Sequence, residues 1–316
     1  MTENRATLNN KNALPSGILG FPITPFRRNG QIDEQALEAN IQFLLDEGLS
    51  SIFIGCGSGE FQSLSIEEYQ SILQLAVQVT NGRVPVFSGV GGNIAQALEQ
   101  AQLSAQIGVD GYLVMPPYLV EGEQEGLYNY YKLITESTEL DAVIYQRGTA
   151  VFALETMRRL LQIPQIKGFK DGYGNMEKNI ELIKNIGNRL SWFNGMPFAE
   201  VTMPAYWAMG FRSYSSAISN YIPHISRMFY TALEQGDEAL VDELYREALL
   251  PINDIRKQRQ GYAVSLIKVG MEIMGLPAGE TVRAPIVPVT PEHYQQLEAI
   301  LNNVMTKFPA RVATGG

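Results

Sequence analysis

Short apolar segments alternate with helix-like segments from Gly17 onward, and this alternation limits the possible folds more than any other feature of the chain. Between the apolar segments, apolar residues recur every three or four positions, as in Leu37, Ile41 and Leu44, which is the spacing of an amphipathic helix. Such alternation indicates parallel strands joined by helices. The predicted strands cover residues 18–23, 51–54, 85–88, 111–115, 142–145, 166–170, 190–193 and 211–215.

Eight strand–helix units in succession favour an α/β fold of the closed (β/α)8, or TIM, barrel type. A doubly wound sheet is disfavoured because it needs a reversal of strand order that the sequence does not indicate. Ser65 followed by Glu68 predicts a capping box at a helix start, and Gly48, Gly108 and Gly187 are expected to end helices. After Gly236, three helix patterns follow without further strands, which predicts a C-terminal helical extension.

The chain is therefore expected to have four regions. Residues 1–14 are polar without an apolar core and are predicted to form a flexible N-terminal tail, unlike a secretory signal or membrane anchor. Residues 15–236 form the catalytic barrel, and residues 237–309 form a helical region that packs on the barrel or on a neighbouring subunit. Residues 310–316 form a second flexible tail.

Composition excludes several classes of function. A formal net charge of −9 without clustered Lys and Arg argues against nucleic-acid binding. No apolar stretch approaches the roughly 20 residues of a membrane span, so no membrane partner is expected. The single cysteine, Cys56, cannot form an intramolecular disulfide, which favours a cytoplasmic location. With only two histidines, His224 and His293, both expected at the surface in first helical turns, a histidine metal site is disfavoured.

Three strand ends carry polar residues that could take part in catalysis. In such barrels the reactive groups lie at the carboxyl ends of the strands. Strand alternation predicts that Ile166, Gly168 and Lys170 face the barrel interior, together with Val143 and Tyr145 on the adjacent strand. Lys170 and Tyr145 should then meet. A lysine enclosed in this way has a depressed pKa, which leaves free amine for attack on a ketone.

The pattern also allows other interpretations. Lys170 could pair with Asp171 or cap a strand end, and Lys268 is the other semi-buried lysine candidate. Cys56 is interpreted as a small buried filler, because no histidine is placed to activate it. After the second strand, Gly57, Ser58 and Gly59 offer backbone N–H groups and a hydroxyl that suit a small carboxylate, although a plain tight turn would have the same sequence.

These strand ends resemble the dihydrodipicolinate synthase and N-acetylneuraminate lyase superfamily over nearly the whole chain. The last four positions of its G-x-x-G-E turn match residues 57–60 (GSGE), its strand-five tyrosine matches Tyr145, and its G-x-K-[DE] lysine matches Lys170. Within it, residues 168–172 (GFKDG), 214–217 (YSSA) and 261–265 (GYAVS) are similar to a subgroup of dehydratases that act on a keto sugar diacid. Synthases of the superfamily usually carry a hydroxyl residue at the position of Gly57 and a tyrosine at that of Leu119, so their proton relay is broken here.

The resemblance implies a decarboxylating dehydration of a six-carbon keto diacid through a Schiff base on Lys170. It implies proton transfer by Tyr145, no metal, nucleotide or pyridoxal cofactor, and self-association as a homotetramer or homodimer. An aldolase or synthase that uses pyruvate and a non-catalytic keto-acid-binding barrel are the alternatives. The substrate contacts expected besides Lys170 and Tyr145 are Gly57, Ser58 and Gly59 for the carboxylate beside the ketone, and Arg147, Asn194 and Ser216 for the distal end.

Overall fold

The computed structural model describes residues 14–310 and confirms the predicted barrel. All eight predicted strands are present, they pair in parallel in chain order, and β8 closes on β1. The strand bounds differ from the predicted ones by at most three residues. The strands are β1 Gly17–Gly20, β2 Ile52–Ile54, β3 Val86–Val90, β4 Gly111–Val114, β5 Asp141–Gln146, β6 Ile166–Asp171, β7 Ser191–Asn194 and β8 Ser213–Ser216.

Helices alternate with the strands and then continue alone. The capping box of Ser65 and Glu68 is confirmed at the start of α2, and Gly108, with φ +89°, ends α3. A π-helical turn, Tyr245–Leu249, joins α9 to α10. The helices are α1 Glu34–Asp46, α2 Ile66–Thr80, α3 Ile94–Ile107, α4 Gln124–Thr135, α5 Leu154–Leu160, α6 Met176–Ile186, α7 Ala199–Met209, α8 Pro223–Gln235, α9 Glu238–Leu244, α10 Leu250–Lys257, α11 Tyr262–Ile273 and α12 Pro291–Lys307.

Side-chain alternation along the strands divides the core into two layers. One layer fills the barrel, where the rings of Phe21, Phe53 and Phe87 stack with centroids 4.6 and 4.7 Å apart. Val143 and Tyr145 belong to this interior layer, as predicted. The other layer lies between strands and helices. The stacked rings fill the barrel interior and leave its carboxyl end for a site.

Ile166 does not face the interior, contrary to the prediction. It packs in the outer layer, and the register of β5 and β6 shifts between Ala142 and Val143, so that Ala142 pairs with Ile166 but Val143 pairs with Gly168. This irregularity inserts one extra residue into β6 and changes which side chains point inward. Gly168 and Lys170 still follow the predicted inward orientation.

The C-terminal helices share one core with the barrel. Leu297, Leu301 and Val304 on α12 belong to the same buried cluster as Phe169 on β6. The boundary between residues 236 and 237 therefore marks a change in secondary structure within a common core, and the division into two regions stays a prediction. None of the helices in residues 14–310 has the length and apolar character needed to cross a membrane.

The predicted tails and histidines need correction where the structure describes them. Residues 1–13 and 311–316 lie outside the described residues, but Leu14 is buried in the barrel interior beside Gly168. His224 and His293 lie in first helical turns, as expected, yet both are buried. The His224 Nε2 lies 3.0 Å from the Phe308 carbonyl, and the His293 Nδ1 lies 2.9 Å from the Tyr262 hydroxyl. The surface prediction failed because residues distant in sequence cover both rings.

Close approach of β3 to the segment after β2 generates a stability prediction. A Cβ at Gly89 would lie 2.3 Å from the Gly55 carbonyl oxygen, which is backbone and cannot move aside cheaply. We expect Gly89→Ala to lower the free energy of unfolding by about 1–3 kcal/mol, as overpacking does. Urea unfolding provides the measurement.

Gly126→Ala is the matched control, because Gly126 lies in α4 and a Cβ there meets open space. Alanine is the better helix former, so this change should raise the free energy of unfolding by about 0.5–1 kcal/mol. Equal effects of the two substitutions would contradict the steric argument.

Candidate active site

The carboxyl ends of the strands surround a cavity of about 540 Å³. It lies at the end of the barrel where (β/α)8 proteins carry their reactive groups. Residues of β5, β6, β8 and α11, and of the segments after β2, β4 and β7, line it. Its polar lining consists of Ser58, Gln62, Tyr118, Tyr145, Arg147, Thr149, Lys170, Ser215 and Ser216. This cavity is the candidate active site.

Lys170 lies in the cavity wall and is only 5% exposed. β5 and β6 pair Tyr145 with Lys170, and the Lys170 Nζ lies 4.2 Å from the centroid of the Tyr145 ring and 4.6 Å from that of Phe21. The predicted meeting of Lys170 and Tyr145 is therefore present. Both aromatic faces exclude water from the amine on the side of the barrel interior.

Asp171 takes no part in this arrangement, since its carboxylate lies on the helix side of β6. It accepts hydrogen bonds from Gln146 Nε2 at 3.0 Å, from Asn179 Nδ2 at 2.7 Å and from the Tyr206 hydroxyl. The backbone N–H groups of Tyr173 and Gly174 donate to it as well. Among the described residues, the ion pairs do not include one between Lys170 and Asp171, so that alternative interpretation has no support.

Burial and charge act together on the ionisation of Lys170 and Tyr145. Burial lowers the pKa of Lys170, and the neighbouring Tyr145 hydroxyl opposes this shift. Burial alone would raise the pKa of Tyr145, but the positive charges of Lys170 and Arg147 outweigh it and lower that pKa. Arg147 Nη1 donates to the Tyr145 hydroxyl at 2.9 Å, and that hydroxyl donates to the Gly195 carbonyl at 3.2 Å. The pair can therefore supply a free amine and exchange a proton.

The turn after β2 faces the same cavity. Gly57 and Ser58 line the cavity, while Gly59 lies behind them and is not part of the lining. The Ser58 hydroxyl donates to the Phe21 carbonyl at 3.0 Å, and the Thr24 hydroxyl donates to the Gly59 carbonyl at 2.7 Å. Two hydrogen bonds therefore join the turn to the segment after β1, and they fix the position of the turn relative to Lys170.

Cys56 is fully buried behind this turn. Burial raises the pKa of its thiol to about 12, although the charge of Lys170 opposes the shift. A thiol in this state is a poor nucleophile. The geometry agrees with the interpretation of Cys56 as a small buried filler.

Asn194 and Ser216 are buried, and their side chains form hydrogen bonds within the protein. Asn194 Nδ2 donates to the Ala199 carbonyl at 3.0 Å, and its Oδ1 accepts from the Met196 N–H at 3.0 Å. The Ser216 hydroxyl donates to Glu200 Oε1 at 2.5 Å and accepts from the Ser219 N–H. Ser216 lines the cavity, whereas Asn194 is not part of the lining. Their predicted contacts with a substrate stay predictions and require these hydrogen bonds to change.

Tyr118, Thr149 and Ser215 are cavity hydroxyls that were not predicted from the sequence, and Ser215 is the one that a strand supplies. β1 and β8 pair Leu19 with Ser215, and Leu19 belongs to the interior layer, so Ser215 points into the barrel. Tyr214 and Ser216, which flank it, make their hydrogen bonds on the helix side. Strand alternation could have identified Ser215, provided that the register of β8 had been counted from Ser213.

Lys268 is buried, but the structure pairs it with a carboxylate. Its Nζ lies 2.6 Å from Glu60 Oε1, and the two side chains are 7% and 0% exposed. Burial lowers the pKa of Lys268, the charge of Glu60 opposes this shift, and Lys268 is not part of the cavity lining. Lys268 is therefore a weaker nucleophile candidate than Lys170.

Glu200 is a buried acid whose described partners are hydroxyl groups. Ser216 and Ser226 donate to its Oε1 at 2.5 and 2.9 Å, and Oε2 has no partner among the described residues. Burial raises the pKa of Glu200, and the two serine hydrogen bonds only partly oppose the shift. Hydroxyl groups compensate a buried negative charge less well than a cation does, which agrees with the raised pKa.

Fold and cavity together define a (β/α)8 barrel whose site is built around one buried lysine. The chain matches the dihydrodipicolinate synthetase family over residues 14–304, and it belongs to that family. It is 62% identical over 300 residues to a protein of Bacillus subtilis (strain 168) named "probable 5-dehydro-4-deoxyglucarate dehydratase", covering 95% of this chain and 97% of that protein. A protein of Oceanobacillus iheyensis with the same name is 58% identical, covering 94% and 97% of the two chains.

Solved structures of the family have the same architecture. Dihydrodipicolinate synthase from Oceanobacillus iheyensis superposes with a TM-score of 0.86 at 27% identity, covering 92% of this chain and 97% of that one. YagE from E. coli K12, a prophage protein of the family solved in complex with pyruvate, gives a TM-score of 0.83 at 25% identity, covering 92% and 98%. The relationship therefore extends over the barrel and the C-terminal helices.

The buried acid yields a prediction on pH and stability. The raised pKa of Glu200 means that the folded protein retains this proton to higher pH than the unfolded chain, whose ordinary value is 4.5. Stability from this group is therefore full below pH 4.5 and declines as pH rises through the folded pKa. We expect Glu200→Gln to gain stability relative to the wild type as pH rises, measured by urea unfolding midpoints at pH 5 and pH 8.

Glu99→Gln, the same substitution on the exposed face of α3, controls for the loss of one negative charge. A Glu200→Gln variant that loses stability relative to the wild type between pH 5 and pH 8 would show that the carboxylate form is the favoured one.

Proposed function

We propose that the protein is a decarboxylating hydro-lyase that converts 5-dehydro-4-deoxyglucarate into 2,5-dioxopentanoate, water and CO2. The observation that carries the proposal is the buried Lys170 amine beside Tyr145 in an open cavity at the carboxyl end of the barrel. The names of the relatives at 58–62% identity support the substrate. The pyruvate bound to YagE supports a keto acid in this fold.

The first step is attack of the Lys170 amine on the ketone. The lowered pKa of Lys170 raises the fraction of free amine at neutral pH, which this attack requires. Tyr145 transfers a proton to the carbinolamine hydroxyl, which then leaves as water and gives an iminium ion. Because the positive charges of Lys170 and Arg147 lower its pKa, the Tyr145 hydroxyl releases and regains this proton more readily than an ordinary buried phenol.

The iminium ion drives the remaining steps by accepting electrons. It acidifies the neighbouring CH2, and loss of one proton forms an enamine. The enamine electrons expel the β-hydroxyl, which takes up a proton and leaves as water. The conjugated iminium then accepts the electron pair of the bond to the far carboxylate as CO2 departs. The enol left behind tautomerises to an aldehyde, and hydrolysis of the imine releases 2,5-dioxopentanoate and restores Lys170.

The cavity offers a place for each end of such a substrate. The N–H groups of the turn suit the carboxylate beside the ketone, and the Ser58 hydroxyl can donate to it by exchanging its bond to the Phe21 carbonyl. Arg147 lines the cavity, and its described hydrogen bond goes to the Tyr145 hydroxyl, so its remaining N–H groups can receive the distal carboxylate. Ser215 adds a hydroxyl to the same cavity. No metal or organic cofactor is needed for this sequence of steps.

A pyruvate-dependent aldolase or synthase is the second candidate, since the solved relatives include dihydrodipicolinate synthase. Leu119 is fully exposed at the cavity mouth and Gly57 carries no hydroxyl, so neither residue can relay protons as a tyrosine or a threonine would. This favours the dehydratase. A barrel that only binds keto acids would lack turnover altogether.

Product analysis tests the proposal directly. The purified protein is incubated with 5-dehydro-4-deoxyglucarate, and 2,5-dioxopentanoate is followed with an NADP-linked semialdehyde dehydrogenase while CO2 is collected. We expect both products and no pyruvate. Pyruvate release from a sugar acid would favour the aldolase instead. Lys170→Ala should remove turnover and borohydride-trapped adduct together, since no other described lysine lies in the cavity lining.

Lys167→Ala is the matched control on the same strand, because Lys167 is not part of the cavity lining. It should retain both turnover and adduct. A Lys170→Ala protein that is folded and still turns over would refute the Schiff base.

Arg147 gives a prediction on the distal carboxylate. Arg147→Met should raise KM for the diacid about 10- to 100-fold, the value of a lost hydrogen bond to a charged group. Pyruvate has no distal carboxylate, so its half-saturation for borohydride trapping should change much less. Arg158→Met, on the exposed face of α5, is the control. If KM for the diacid and the half-saturation for pyruvate rise equally, Arg147 acts only through Tyr145 and does not bind the distal carboxylate.

A further inference from the structure

The C-terminal helix α11 forms one wall of the candidate active site. Ala263, Val264 and Ile267 line the cavity together with the turn after β2, although more than 200 residues of chain separate the two segments. The sequence predicts only that the C-terminal region packs on the barrel or on a neighbouring subunit. The size of the cavity therefore depends on how α11 is held relative to the turn.

A buried ion pair joins these two walls. The Lys268 Nζ lies 2.6 Å from Glu60 Oε1, and neither side chain is appreciably exposed. Lys268 directly follows the cavity residue Ile267, and Glu60 directly follows the turn of Gly57, Ser58 and Gly59. Lys268 therefore lies one residue from Ile267 in the cavity lining. Glu60 lies two and three residues from Ser58 and Gly57 in the lining.

The surrounding contacts fix the direction of both groups. Glu60 Oε2 accepts from the Arg283 N–H at 2.8 Å, and Lys268 also donates to the Thr281 carbonyl at 2.9 Å. The Lys268 Nζ lies 4.6 Å from the centroid of the Phe26 ring. Glu60 adopts a left-handed backbone conformation, with φ +56°, which side-chain-bearing residues adopt at a cost. These partners hold a strained residue at the end of the turn.

A second link runs parallel to the first. The Arg283 guanidinium donates to both carboxylate oxygens of Glu68, to the Ser63 carbonyl at 2.7 Å and to the Gly30 carbonyl at 2.6 Å. This link is nearer the surface than that of Lys268 and Glu60. The segment 268–283 is therefore attached to the segment 60–68 at two places, and the inner attachment lies next to the cavity.

We propose that Lys268 is a positioning residue, whose ion pair with Glu60 sets the spacing between the Ser58 turn and the α11 wall and thereby the affinity for a keto acid. This inference rests on the function proposed above. A buried ion pair is often no more stabilising than a well-packed apolar pair, because desolvation offsets the attraction. In this protein the pair controls geometry, since its charge-assisted hydrogen bond is directional and its burial strengthens the attraction.

The experiment compares Lys268→Met, the double variant Glu60→Gln/Lys268→Met, and Lys268→Arg. Lys307→Met is the matched control, because Lys307 pairs with Glu243 and Glu247 at the surface of the C-terminal region. For each protein, Tm, KM and kcat are measured with the diacid. The half-saturation for borohydride trapping of pyruvate on Lys170 is measured as well.

Lys268→Met leaves Glu60 buried without its cation, so both Tm and keto-acid affinity should fall. The double variant removes both charges and should recover most of the lost Tm. Its KM and pyruvate half-saturation should remain raised about 10- to 100-fold, the range expected for a small misplacement of binding groups. Its kcat should change less. Lys268→Arg should restore part of the affinity, and Lys307→Met should match the wild type.

A folded double variant with wild-type KM and pyruvate half-saturation would overturn the inference, because the pair would then serve stability alone. The double variant therefore tests the inference even if Lys268→Met fails to fold. A wild-type protein that traps no pyruvate and no diacid on Lys170 would overturn the proposed function, and the inference with it. If the wild type traps these ligands on Lys170 and the Lys268 variants keep the wild-type affinity, only the inference is overturned.

Discussion

The desolvation of Lys170 is the constraint on which the rest of the site depends. An ammonium group loses its hydration at this depth, and the described neighbours of its Nζ are aromatic faces, with no carboxylate among its ion-pair partners. Asp171, the nearest acid in sequence, is satisfied on the opposite side of the strand. Had Asp171 faced the cavity, its charge would have raised the pKa of Lys170 and removed the free amine.

The same physics makes Tyr145 useful. A buried phenol ordinarily holds its proton tightly, as in Tyr131 and Tyr214, where burial raises the pKa well above its usual range. Tyr145 departs from this behaviour because two cations, Lys170 and Arg147, stand beside it. Lys170 therefore lowers the pKa of Tyr145, whereas Tyr145 opposes the lowering of the Lys170 pKa that burial causes.

The sequence allowed the fold and the reactive pair to be predicted, because both follow from short-range periodicity. Strand alternation correctly predicted that Lys170 lies beside Tyr145. The shifted register of β5 and β6 reversed only the direction in which the Ile166 side chain points. It did not select Ser215 over Ser216, since the two serines are adjacent and only the pairing of Leu19 with Ser215 decides which one points inward. The pairing of Lys268 with Glu60 joins residues 208 positions apart, and no local pattern encodes such a contact.

Two of the buried acids near the cavity, Glu60 and Glu200, have surroundings that give them different roles. Glu60 faces the Lys268 ammonium and a backbone N–H, so its charge is compensated and can hold two segments together. The described partners of Glu200 are two serine hydroxyls, and its second oxygen has no described partner, so burial raises its pKa. The raised pKa reduces the tendency of Glu200 to carry a negative charge at the end of β8. Because the proposed substrate carries two carboxylates, an uncompensated charge behind Ser216 would oppose its binding.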